Sequence, residues 1–149
     1  MKAVIQRVNS SYLKIDGALR AETGRGLVVL FGVEKGDKSD FCAQIAYKTV
    51  NLRIFEDENG KMGRSLKDID GEMLIVSQFT LAGTCNKGLR PDFTSAMEPV
   101  TAKEYYDIFV SECVKILGED KVKTGVFATD MKVGLENDGP VTIIMEKTE

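Results

Sequence analysis

The chain has 149 residues, 43% of them hydrophobic and 29% charged, and its 20 basic and 23 acidic side chains leave a net charge of −3. One globular domain spanning residues 1–149 is expected, and the acidic balance speaks against a broad non-specific DNA-binding surface. There is no histidine, which removes Ser-His-Asp triads, Cys-His dyads, histidine general bases and every histidine-containing metal site.

The N-terminal residues Met1 to Arg7 show no signal-peptide pattern. Lys2 to Val8 and Ser11 to Ile15 read as two short strands, and Asp16-Gly17 is a hairpin signal leading into Ala18 to Thr23. Gly24 and Gly26 bracket a buried strand, Leu27 to Val33. Its longest apolar run, Leu27 to Phe31, is far short of the about 20 residues that cross a membrane. A helix beginning near Ser39 places Phe41, Ile45, Lys48 and Leu52 on one stripe, with Cys42, Ala46 and Thr49 beside it. Arg53 to Glu56 returns to strand. The turn Asp57-Glu58-Asn59-Gly60 lacks the ligand spacing of a calcium loop and reads as solvated. Glu72 to Phe79 is the strongest strand.

A second helix is predicted from Thr101, where Thr101-Ala102-Lys103-Glu104 has the form of a capping box. It carries Tyr105, Phe109, Cys113 and Ile116 on one face and stops at Gly118. Strands follow at Val122 to Phe127, Met131 to Glu136 and Val141 to Met145, with Asn137-Asp138-Gly139-Pro140 as the turn between the last two. Many short strands and two helices predict an α+β class with a largely antiparallel, barrel-like sheet. Cys42, Cys85 and Cys113 form no Cys-x-x-Cys pair and read as reduced thiols of a cytoplasmic protein.

Three segments are candidates for chemistry. Ser77-Gln78-Phe79-Thr80-Leu81 leaves the buried strand and delivers side chains and backbone N–H groups to a rim. Ser77 and Thr80 have no histidine to activate them, and serine and threonine at strand ends commonly serve turn hydrogen bonds. Thr84 to Pro91 is a loop whose Lys87 and Arg90 suit a phosphate, or solvent. Gly139-Pro140, on pattern alone, is a plain turn.

Taken in order from residue 1 to about 145, several segments resemble D-aminoacyl-tRNA deacylases. They are Met1 to Val8, Asn51-Leu52-Arg53-Ile54-Phe55, Ser77 to Leu81, Lys87-Gly88-Leu89-Arg90-Pro91 and Asn137-Asp138-Gly139-Pro140-Val141-Thr142. Leu89 departs from the polar or basic residue expected between Gly88 and Arg90.

The resemblance implies hydrolysis of the ester joining a D-amino acid, or glycine, to the terminal adenosine of tRNA. It implies homodimers whose active sites pair Ser77, Gln78, Phe79 and Thr80 of one subunit with a cis Gly139-Pro140 element of the other, with Arg7 propping that element. The partner is then the acceptor end of aminoacyl-tRNA, and no membrane, DNA, cofactor or metal is expected. An activated ester assisted by the vicinal 2′-hydroxyl needs orientation and oxyanion stabilisation rather than imidazole, with N–H groups near Phe79 and Thr80 as donors. Phe127 is the candidate to stack on the terminal adenine, a strand-core role being the alternative. Rival readings are a related editing domain acting on L-aminoacyl-tRNA, a non-catalytic RNA-end-binding module, and a structural β-rich dimer.

Overall fold

Alternation starts at once: Met1, Ala3 and Ile5 are buried while Lys2, Val4 and Gln6 are not, so the N-terminus forms a sheet strand with one face on the core. In the computed structural model, which describes all 149 residues, that strand is β1 (Lys2–Ile15). It runs through the break predicted at Asn9 and Ser10. Val8 faces Asn137 and Ser10 faces Glu136, so Asn9 is the extra residue of a bulge. A bulge bends a strand without ending it. The bend lets one edge of β1 pair first with β3 (Gly26–Gly32) and then with β2 (Ala18–Thr23), while the other edge follows β8 (Lys132–Glu146) along its length.

Beyond β3 the sheet continues through β6 (Glu72–Ser77) to β7 (Val122–Thr124), and both of these pairings are parallel. Helix α1 (Asp40–Asn51) lies in the connection from β3 to β6, and α2 (Pro99–Leu117) in that from β6 to β7, because parallel neighbours require a crossover. A small hairpin of β4 (Phe55–Glu56) and β5 (Met62–Arg64) completes the strands, turning at Asp57, whose carboxylate accepts from the N–H groups of Asn59 and Lys61. The architecture is α+β, with two main helices and a mostly antiparallel, barrel-like sheet.

Both helices pack on one face of the sheet, where Phe31 stacks on Phe109 at 4.2 Å between ring centroids. In α1 the buried stripe is Phe41, Cys42, Ile45, Ala46, Thr49 and Val50, and Lys48 is exposed, not in the stripe, since its charge keeps to water. On the opposite face Val8, Leu13, Val28, Leu74 and Val76 form a smaller core. β3 and β6 therefore face apolar layers on both sides, the reason for their unbroken apolar runs.

Helix α2 begins two residues before the predicted Thr101. Pro99 occupies the first helical position, where its missing N–H costs nothing, and the Glu98 carboxylate accepts from the N–H groups of Val100 at 3.0 Å and Thr101 at 2.8 Å. With those donors taken, the predicted capping box does not form. Tyr106 rather than Tyr105 enters the core, and Gly118 ends the helix as its sequence suggests. No helix is long and apolar enough to cross a membrane.

Candidate active site

Met73 to Val76 are buried and Ser77 is half-exposed, so β6 surfaces at its C-terminal end. The predicted strand extends to Phe79, but the Gln78 N–H makes the last contact to β3, at 2.8 Å to the Phe31 carbonyl, and Phe79–Ala82 coil into a short 3-10 helix. Its first N–H groups, those of Phe79 and Thr80, donate to no backbone carbonyl, as at any helix start, and stand free at the rim. The Gln78 side-chain amide donates to the Thr80 hydroxyl. An amide is no base, so the Thr80 oxygen has nothing beside it to take its proton.

Ser77, Gln78 and Phe79 line a cleft of about 600 Å³, closed on its other sides by the start of α2 and by residues 127–133. Phe127, predicted on a strand, sits instead in a turn after β7. Ala128 holds a φ of +57° there, which ends the extended run. Its ring meets Tyr106 at 6.0 Å and lines the cleft. Asp130 is the one charged side chain of the lining and is ion-paired with Lys132 at 2.9 Å. Thr129, Asp130 and Met97 carry no motif; the first two follow the turn at Phe127 and Ala128, and the third directly precedes the Glu98 cap of α2. The Tyr106 hydroxyl donates to the Ile75 carbonyl at 3.0 Å beneath the strand exit, and burial drives its pKa well above the usual phenol value.

The third candidate segment, Gly139-Pro140, is not a turn between two strands. β8 continues on both sides of Asp138–Val141, and the flanking residues pair with β1: Asn137 with Val8, Thr142 with Gln6. Four residues are thereby looped out opposite Arg7 alone. The Asn137 side chain closes the loop by accepting from the Val141 N–H at 2.8 Å. The Gly139-Pro140 peptide bond is cis. Arg7 is buried; its guanidinium donates to the Ile54 carbonyl at 2.6 Å and to the Asp138 carbonyl at 3.0 Å, and lies 3.3 Å from the Asp138 carboxylate. Gly139 has a φ of +132°, and a β-carbon there would stand 2.8 Å from the Val141 side chain and 3.1 Å from the Arg7 guanidinium. Gly139 and Pro140 themselves are exposed.

The sequence-derived residues thus fall into two groups. Ser77, Gln78, Phe79 and Phe127 share the cleft, with exposed Thr80 at its edge; Arg7, Gly139 and Pro140 form a separate cluster outside the cleft lining. Cys42 and Cys113 belong to the core, where burial pushes both thiols up to about 12, and only Cys85 is exposed. No three cysteine or carboxylate side chains converge as a metal site.

Comparison with known proteins places residues 4–146 on the family model described as D-Tyr-tRNA(Tyr) deacylase. The chain is 54% identical over 146 residues to a D-aminoacyl-tRNA deacylase of Persephonella marina, covering 98% of this chain and 97% of that one. It is 53% identical over 146 residues to one of Geotalea uraniireducens, covering 98% and 93%. Among solved structures, the c-Myc DNA Unwinding Element Binding Protein superposes with a TM-score of 0.95 at 39% identity over the whole of both chains. A probable eukaryotic D-amino acid tRNA deacylase does so with a TM-score of 0.85 over 97% of each chain; at 17% identity that likeness is one of fold.

Proposed function

The chain belongs to the D-Tyr-tRNA(Tyr) deacylase family, and from that membership we propose that it hydrolyses the ester of D-aminoacyl-tRNA, and of glycyl-tRNA, at the cleft beside Ser77–Thr80. The carrying observation is the pair of N–H groups, Phe79 and Thr80, that donate to no backbone carbonyl beside a cleft in which no hydroxyl is hydrogen-bonded to a carboxylate.

In this reading the largely apolar cleft takes the terminal adenosine against Phe127, and the ester carbonyl points at the two N–H groups. Negative charge developing on that oxygen is met by donors already in place, each of the kind worth about 2.7–4 kcal/mol in the transition state. Water attacks with help from the vicinal 2′-hydroxyl of the substrate. Ser77 and Gln78 shape the wall and hold the chain geometry; none of the four supplies a nucleophile.

Choice of hand falls to the carbonyls of Gly139 and Pro140, next to the Asp138 carbonyl that Arg7 holds. Set over the substrate α-carbon, they exclude an L side chain by collision and pass a D side chain or the hydrogen of glycine. Since these residues lie outside the lining of their own cleft, the reading calls for a homodimer in which each subunit presents Gly139-Pro140 to its partner's cleft. Two features support it: the outer edge of the 15-residue strand β8 is unpaired, and Gly139 and Pro140, within that strand, are exposed. A long open edge invites a second chain. The substrate and three free cysteines suit the cytoplasm.

The test is hydrolysis of D-tyrosyl- against L-tyrosyl-tRNA, followed on dilution through any dimer dissociation. Release of D-tyrosine alone, lost as the dimer separates, is expected. Equal release of both hands would remove the chiral filter, and full activity in a monomer would remove the shared site.

A further inference from the structure

Between the exit of β6 and the start of α2, residues 83–97 run outward and return. Thr84 and Asp92 exchange two backbone hydrogen bonds of 2.9 Å, closing a finger whose tip is Cys85 to Pro91. The base of the finger is fastened to the site at two points. Phe93 meets Phe79 edge-on at 5.4 Å, and the Ser95 hydroxyl donates to the Ala82 carbonyl at 2.8 Å. The one carboxylate of the finger, Asp92, is occupied at its foot by the Thr94 N–H at 2.8 Å. Every residue of the tip is exposed, and the tip holds Lys87 and Arg90 with no acid among them. Neither cation enters any ion pair of the molecule. Gly88, with a φ of +103°, turns the chain between them, and Leu89 stands wholly clear of the protein.

On a chain of net charge −3, two unneutralised cations at the end of a stapled finger are a local positive field next to the hydrolytic cleft. Nothing in the ester chemistry uses them. We propose that the tip is a phosphate clamp for the acceptor arm: Lys87 and Arg90 hold backbone phosphates on the 5′ side of the terminal nucleotide while Leu89 packs on a ribose. This rests on the deacylase reading and adds a second contact region for the same substrate. The cleft takes a nucleoside, and the polyanion covalently attached to that nucleoside is its own RNA backbone, so RNA is the occupant the charge fits. Arginine can bind phosphate oxygens in pairs and lysine acts as a point charge, and contacts of this sort fix register without reading sequence.

The experiment measures binding of uncharged tRNA against salt for the wild type, Lys87→Ala, Arg90→Ala and the double variant, beside hydrolysis of D-tyrosyl-tRNA and of the minimal ester D-tyrosyl-adenosine. Two phosphate contacts should make wild-type affinity fall about tenfold more than that of the double variant between about 50 and 200 mM salt. Each single variant should lose about half of that slope difference. Rates on the minimal ester should not change. tRNA binding by the double variant equal to wild type at every salt concentration overturns the clamp, as does an equal loss on both esters, which would make the finger a support of the cleft. Duplex DNA competing as well as tRNA overturns the choice of RNA. If the wild type cleaves neither ester, the deacylase reading fails while the binding data still decide the clamp.

Discussion

Ser77–Thr80 leaves β6, whose four central residues are all buried, whereas Asn137–Val141 interrupts β8, which has no buried residue at all. The first segment inherits its position from the two cores that sandwich β6, and its proposed working groups are backbone N–H groups. The second lies in a strand with an open edge and is tied by one buried side chain, Arg7, which bonds both the Asp138 and the Ile54 carbonyls. Geometry supplied by a core is spread over many contacts and should tolerate changes at the rim. Geometry supplied by one guanidinium should fail with it.

Arg7→Ala should therefore be the most damaging change. It leaves the buried Ile54 carbonyl without its donor, at a cost of about 1–3 kcal/mol, and frees the Asp138 carbonyl. Hydrolysis of D-tyrosyl-tRNA should fall about 100-fold, the scale of a misplaced orienting group. Arg7→Lys should not restore it, because one ammonium cannot reproduce the two fixed bonds. Full activity in folded Arg7→Ala would break the contrast.

Gly139→Ala comes next. The backbone there is in the region that disfavours L side chains, and the added carbon meets Val141 and Arg7. A stability loss of about 1–3 kcal/mol, read by urea denaturation, should accompany a shift in the D-to-L rate ratio. An unchanged ratio in a folded dimer would put the filter elsewhere.

Alkaline pH probes the helix-packed core. Cys113 and Cys42 titrate at about 12 in the folded protein against 9.0 for a free thiol. Above pH 9 the unfolded chain releases these protons while the folded chain keeps them, so stability declines as pH rises from 9 toward 12. The urea midpoint should drop over this range, and less so in a Cys42→Ala, Cys113→Ala protein. Hydrogen exchange should quicken in α1 and α2, which carry the two thiols, before the Arg7 loop, and the reverse order would contradict the burial of these thiols between the helices and the sheet.

Thr80→Ala is expected to do least, lowering the rate by less than about tenfold, some 1.4 kcal/mol. A fall to the uncatalysed level in the folded variant would make its hydroxyl a participant and end the distinction between backbone and side-chain chemistry.

Local signals were legible wherever one stretch of chain decides the outcome. Asp16-Gly17 turns, Leu27 to Phe31 is a buried strand, Gly118 stops α2, and the polar exit of β6 at Ser77 lines the cleft. The pairing of Ser77–Thr80 with Gly139-Pro140 as motifs came from resemblance to the family, not from spacing. Where two local signals compete, pattern misleads: Thr101-x-x-Glu104 has the form of a cap, yet Glu98 lies in front of Pro99 and captures the donors first.

Composition alone excluded imidazole chemistry, because a residue type that is absent is absent from every fold. Periodicity located the two helices and the buried strands β3 and β6, since side-chain spacing is set by the backbone of each element, but it split β1 and β8 in two. Only the tertiary structure decided what Asn137-Asp138-Gly139-Pro140 does. Those residues favour a reversal, and the chain loops out but does not reverse, because β1 offers a continuous edge on both sides of it, at Val8 and at Gln6. The cleft was equally out of reach, for Ser77, Met97 and Phe127 lie about 20 and 30 residues apart and meet there only because the β6-to-β7 crossover through α2 folds back on the sheet, which no local preference specifies.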